Sequence, residues 1–239
     1  MLLFEPIAPQ KHPLLSFDLN SSEQVLAAGT ELVEFDASIH FFDARSSTST
    51  LLKTYSESHS DDITNVKFHP TNPARLMTGS VDGLICQFDL TDMDEDEGLL
   101  VVSNTGASIN KIGYFGPQSE YIYCLSHMET LSLWNSEEAD AIHQFGDIRG
   151  VSKPAMGLTV DYGIDCQYEP ESGRLYLLSG SNEYVCVLLE LEGGSPCDAT
   201  TRRNILRFNT HQMYSFFFSL GVTSTSCTST RTHYNSARC

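Results

Sequence analysis

Apolar residues in this chain come in short runs that alternate with polar ones or stand continuous for four or five positions. They do not recur at three and four, so strands are predicted rather than amphipathic helices. Residues 63–102 show the pattern: "ITNVKF" (63–68) is one run, and "HPTNPA" then breaks the chain with two prolines. "RLMTG" (75–79) follows, Asp82-Gly83 reverses direction, and "LICQF" (84–88) returns. Asp-Gly between apolar runs is a hairpin signal, because both residues tolerate positive φ. After the acidic stretch "DMDEDE" (92–97), "GLLVV" (98–102) supplies a fourth strand.

This four-strand unit repeats. Phe88-Asp89 has a predecessor in Phe42-Asp43, a successor in Trp134-Asn135 and a weaker copy in Leu189-Glu190, at intervals of 46 (89−43), 46 (135−89) and 55 (190−135) residues. A second anchor holds the same period: "ITNVKF" aligns with "INKIGY" (109–114), and Phe17 and Tyr168 fill the same slot. Phe68 to Asp89 and Tyr114 to Asn135 both span 21 residues, and Tyr168 to Glu190 spans 22. Phe17 to Asp43 spans 26, which puts a few extra residues into "GTELVEFDAS" (29–38). Four short strands per period of about 46 residues is the pattern of a β-propeller blade. Blades bury both faces against their neighbours, which accounts for unalternating runs such as "VCVLL" (185–189). The units are placed at 14–57, 58–103, 104–150 and 151–197, after a lead-in of 1–13.

The units resemble WD repeats. The matching residues are "SH" (58–59) before a first strand, "TGSVDG" (78–83), Phe88-Asp89 where the family has Trp-Asp, and "LWN" (133–135). The resemblance covers residues 14–192 and implies an all-β fold, a partial propeller of about four blades forming an open arc. It also implies a structural hydrogen-bond network of His59, Thr78 and Asp82, missing its fourth member because Phe88 has no N–H to donate. The third unit has Trp134, but Met128 stands at the Asp position; the fourth has Glu183 there. Binding in such a protein would use the propeller's rim and its central face, on which lie the turns before first strands and between second and third. Asp61, Asp62, Asp82, Glu129 and Glu183 are its candidate contacts.

Candidate chemistry is sparse. The sequence has no Gly-x-Ser-x-Gly elbow, Walker loop or His-Glu-x-x-His. His59 with Asp61 and Asp82 is the one constellation available to a hydrolase-type site, and it reads better as a satisfied turn histidine. No metal or other cofactor is expected. The run Asp92, Asp94, Glu95, Asp96, Glu97 lacks EF-hand spacing and reads as a solvated loop; a docking loop for a basic peptide is the alternative.

Charge narrows the partners. The 239 residues carry a net charge of −17, which disfavours nucleic acid and anionic membranes and permits a basic protein. The seven cysteines include no Cys-x-x-Cys, and no run reaches membrane-spanning length. A reduced intracellular setting, cytoplasm or nucleus, is expected, with a non-catalytic scaffold as the function and a hydrolase-type enzyme or a truncated product without function as the alternatives. Composition changes abruptly at the end: residues 1–200 hold 9 basic and 31 acidic residues, whereas 201–239 hold 5 and none. The segment 198–239 reads as a non-repeat, unstructured tail. It is either a basic extension or the product of a shifted or intron-derived reading frame, and the abruptness favours the latter. Four blades alone leave an open arc with apolar faces and strand edges, predicting poor solubility or self-association.

Overall fold

The computed structural model describes residues 12–46, 50–151, 159–181, 186–191 and 205–208. These form four antiparallel four-stranded sheets, each built from consecutive strands. The first holds β1 (Leu14–Leu19), β2 (Val25–Thr30), β3 (Ile39–Asp43) and β4 (Leu51–Tyr55). The second holds β5 (Asn65–Phe68), β6 (Arg75–Gly79), β7 (Leu84–Asp89) and β8 (Leu99–Asn104). β9 (Ile109–Phe115), β10 (Tyr121–Ser126), β11 (Thr130–Asn135) and β12 (Ala141–Asp147) make the third. β13 (Tyr162–Glu169), β14 (Arg174–Gly180), β15 (Cys186–Leu191) and β16 (Ile205–Phe208) make the fourth. The arrangement is part of a β-propeller.

The aromatic-Asp anchors have a physical job. Asp43, Asp89 and Asn135 each end a third strand, opposite Val25, Arg75 and Tyr121, which open the second strands. Each side-chain oxygen then accepts the amide two residues on: Arg45 at 3.0 Å, Thr91 at 2.9 Å and Glu137 at 2.9 Å. An Asp or Asn there turns the chain out of the third strand toward the fourth.

Three apolar cores lie between successive sheets. Ala27, Ile39, Phe41 and Tyr55 of the first sheet pack with Val66, Phe68, Leu76 and Phe88 of the second. The Phe41 and Tyr55 rings stand edge to face at 4.7 Å, and Phe88 lies 5.5 Å from Tyr55. Met77 and Ile85 meet Ile109, Ile112, Ile122 and Trp134 between the second and third. Leu125, Leu131 and Leu133 meet Cys166, Leu175 and Leu177 between the third and fourth. The first strands run side by side and are stitched by polar bonds: Ser16 Oγ donates to the Ile63 carbonyl at 3.0 Å, and Asn65 Nδ2 to that of Asn110 at 2.8 Å.

Two details depart from the sequence-based outline. The fourth sheet takes its last strand from Ile205–Phe208, so its unit runs past the expected boundary at 197. Arg202, Arg203 and Arg207, within and just before this short strand, hide it. The rest of the expected tail lies outside the described residues. The acidic run is also not simply a solvated loop. Glu95–Gly98 form a single helical turn, α1, whose N-cap Asp94 accepts the amides of Asp96 and Glu97.

Candidate functional site

The rim is built where the turns between second and third strands meet the segments that enter first strands. Val81 N–H donates to the Asp62 carbonyl at 3.0 Å and Ser80 Oγ to that of Asp61 at 3.0 Å. Ile63 N–H reaches the Thr30 carbonyl of the first sheet at 3.0 Å, and Ile109 N–H reaches that of Ser80 at 3.1 Å. Each turn is therefore bonded to the next sheet's entry segment.

The structure brings His59, Thr78 and Asp82 together. His59 Nδ1 lies 3.1 Å from Asp82 Oδ2 and Nε2 lies 2.7 Å from Thr78 Oγ1. Asp82 also accepts the amides of Ser60 at 3.0 Å and Leu84 at 2.8 Å. The His59 side chain is 0% and that of Asp82 6% exposed. Burial pushes the Asp82 carboxyl up, but the His59 bond and charge and the Leu84 and Ser60 amides outweigh it, so its pKa lies below the usual value. With both His59 nitrogens engaged and the ring enclosed, this group ties the entry of β5 to the hairpin of β6 and β7.

The other rim carboxylates divide. Asp62 Oδ1 accepts the Leu32 amide at 2.7 Å, binding the first sheet to the second. Glu129 Oε2 accepts the Gly163 amide at 2.6 Å, binding the third to the fourth. Asp61 bonds locally, to the Asp62 amide at 2.8 Å. Glu183 lies outside the described residues. No cluster of three or more potential metal ligands occurs among the described residues.

No protein-family profile matches the chain. It is 33% identical over 172 residues to the WD repeat-containing protein 89 homolog of Dictyostelium discoideum, covering 72% of this chain and 45% of the relative. It is 39% identical over 127 residues to WD repeat-containing protein GTS1 of Arabidopsis thaliana, covering 52% and 32%. An uncharacterized WD repeat-containing protein of Saccharomyces cerevisiae is 37% identical over 145 residues, covering 58% and 36%. This is a WD-repeat protein. It spans less than half the length of these curated relatives.

The WD-repeat units are uneven in their internal bonding. In the second, the completely buried Phe88 packs in the core and the network stops at three members. In the third, Trp134 Nε1 donates to Ser132 Oγ at 2.9 Å. Its hairpin is held by Ser126, whose Oγ accepts the amides of Met128 at 3.1 Å and Thr130 at 3.2 Å, in place of an Asp. Glu95 has a role that sequence reasoning missed. Its carboxylate accepts the amides of Ser56 and Glu57, each at 2.8 Å, and the Ser58 hydroxyl at 2.5 Å. It holds the segment that joins the first sheet to the second. No local motif marks Glu95 for this, because its partners lie 37 to 39 positions back along the chain.

Proposed function

We propose that this WD-repeat protein is a scaffold without chemistry of its own, and that its rim of turns receives a basic protein or peptide. The observation that carries the reading is the placement of Asp61. It is half-buried at the rim, its one described side-chain bond is local, and residues 54–66 around it contain no Lys or Arg. Asp62, Asp82 and Glu129 add negative charge while holding the turns in place. Pre-set backbone and side-chain positions lower the entropy cost of binding.

The hydrolase alternative needs an accessible proton-transfer group. His59 offers none, since its side chain is enclosed and both nitrogens are engaged. A reduced compartment, cytoplasm or nucleus, belongs to the same reading. It is supported by Cys86, Cys124 and Cys166, which are free and buried. Self-association belongs to it too, supported by the exposed apolar side of β1.

The test is binding of the full chain to a defined panel of basic, neutral and acidic peptides. The expected result is preference for basic peptides, weakened by salt and by Asp61→Asn, with the melting temperature unchanged by that variant. Equal binding across the panel, or indifference to Asp61→Asn, would overturn the reading.

A further inference from the structure

Phe35 is 99% exposed, the most exposed of the large apolar side chains described. It sits in the connection between β2 and β3, residues 31–38, where the second unit needs only 80–83 and the third only 127–129. Val33 and Asp36 bond to each other twice, N–H to carbonyl, at 3.0 Å each. Glu34 and Phe35 are left as a two-residue loop, with φ of 54° and 77°. This is the geometry of a type I′ turn, which favours Asn-Gly because a Cβ is disfavoured at positive φ. Two larger side chains stand here against backbone preference, and one is an aromatic ring in full contact with water. Neither choice favours folding, and strain of this kind concentrates at functional positions.

The base of the hairpin is firm. Leu32 packs against the core between the first two sheets, and its amide is held by Asp62 beside Asp61. The surroundings are acidic. Glu31 and Glu34 are exposed, and Asp36 closes the turn. The hairpin presents an aromatic ring with Glu31, Glu34 and Asp36 as its near neighbours in the chain.

We propose that the Glu34–Phe35 hairpin is the anchor for a basic amphipathic segment of a partner protein. Phe35 meets that segment's apolar side chains or takes a guanidinium on its face, and Glu31, Glu34 and Asp61 pair with flanking Arg or Lys. The inference rests on the reading of the rim as a protein-binding surface.

Fluorescence anisotropy of the full chain with three labelled peptides tests it: one with Arg and Leu at helical spacing, one with Glu replacing Arg, and one with Ser replacing Leu. The Arg/Leu peptide is expected to bind, and the other two are not. Phe35→Ala is expected to weaken binding about tenfold with an unchanged melting temperature. Glu34→Asn with Phe35→Gly is expected to raise the melting temperature while losing binding. Parent-like binding by Phe35→Ala overturns the hairpin proposal. If Asp61→Asn still weakens binding in that case, the rim reading survives; if no peptide is preferred, both fall. Loss of self-association in Phe35→Ala, without peptide binding by the parent, also overturns the proposal and makes a second copy the occupant.

Discussion

Glu95 Oε2 accepts a hydrogen bond from the Ser56 amide at 2.8 Å, joining the loop that closes the second sheet to the chain leaving the first. Glu95 Oε1 takes the Glu57 amide and the Ser58 hydroxyl, and the Tyr55 hydroxyl donates to the Asp94 carbonyl at 3.2 Å. One carboxylate thus serves three donors, in a stretch whose composition alone suggests a solvated charge run or a docking loop.

Glu95→Ala leaves those donors to water. The expected cost is about 1–2 kcal/mol, because the bonds are partly solvent-exposed and water replaces some of them. That corresponds to a fall of roughly 2–8 °C in melting temperature for a chain of this size. Hydrogen exchange at the Ser56 and Glu57 amides should accelerate in the variant. An unchanged melt with unchanged exchange at those amides would remove the clamp from the account.

The buried His59–Asp82 pair gives a second prediction. Asp82→Asn is expected to destabilise by about 2–3 kcal/mol, since the carboxylate serves the His59 ring and two amides. Thr78→Val should cost less, because it removes one partner of the His59 ring. The two effects should be non-additive in a double-mutant cycle, as both act through one imidazole. The sign of the pH dependence follows from the depressed Asp82 pKa. Its stabilisation is complete above the ordinary value of 3.8 and is lost as pH falls through the lower folded value. Urea titrations should therefore find the gap between parent and Asp82→Asn widest near neutrality and closing in acid. A gap that stays constant into acid would contradict the pairing.

The repeat was legible in the sequence because its anchors do local work. Asp43, Asp89 and Asn135 each bond an amide two residues on, so the same residue type returns at each strand exit. His59, Thr78 and Asp82 were legible through the family pattern. The bonds between repeats were not. Leu32 to Asp62, Ser56 to Glu95 and Gly163 to Glu129 join residues 30, 39 and 34 positions apart, and none has a partner at fixed spacing in other units. β16 was hidden for another reason, since it is only four residues long and sits among Arg202, Arg203, Arg207 and other polar residues. The Phe35 hairpin was visible only as a length difference, because a sequence does not report the sign of φ.

His40 supplies a pH response nearer neutrality. Burial lowers its pKa from 6.5 and the His12 charge lowers it further, while Asp36 opposes. Its Nδ1 meets Thr54 Oγ1 at 3.0 Å, and its buried Nε2 has no hydrogen-bond partner in the structure. The unfolded chain takes up a proton at this histidine more readily than the folded one does. Stability is therefore full above 6.5 and declines as pH falls from there toward the folded value. The melting temperature should fall between about pH 7.5 and about pH 5.5, and His40→Gln should reduce that fall. His69, also lowered first by burial, acts in the same direction and should leave a remainder in the variant. An equal fall in parent and variant would assign the effect to other groups.

The first sheet carries the last prediction. Leu15, Phe17 and Leu19 of β1 are 47%, 71% and 41% exposed. Val66, Ile112 and Cys166, which take the place of Leu15 in the later sheets, are 1%, 1% and 4% exposed because each packs on the sheet before it. Among the described residues the same kind of face is thus covered three times and open at β1. Apolar surface of this kind drives association at roughly 25 cal/mol per Å² removed from water. Light scattering of the 239-residue chain should show mass rising with concentration. Leu15→Ser combined with Phe17→Ser should suppress the rise with little loss of melting temperature, since both side chains already face water. Phe35→Ala should leave it unchanged if the hairpin and the sheet face are separate surfaces. A parent chain that stays monodisperse at every concentration would show that this open face does not draw copies together.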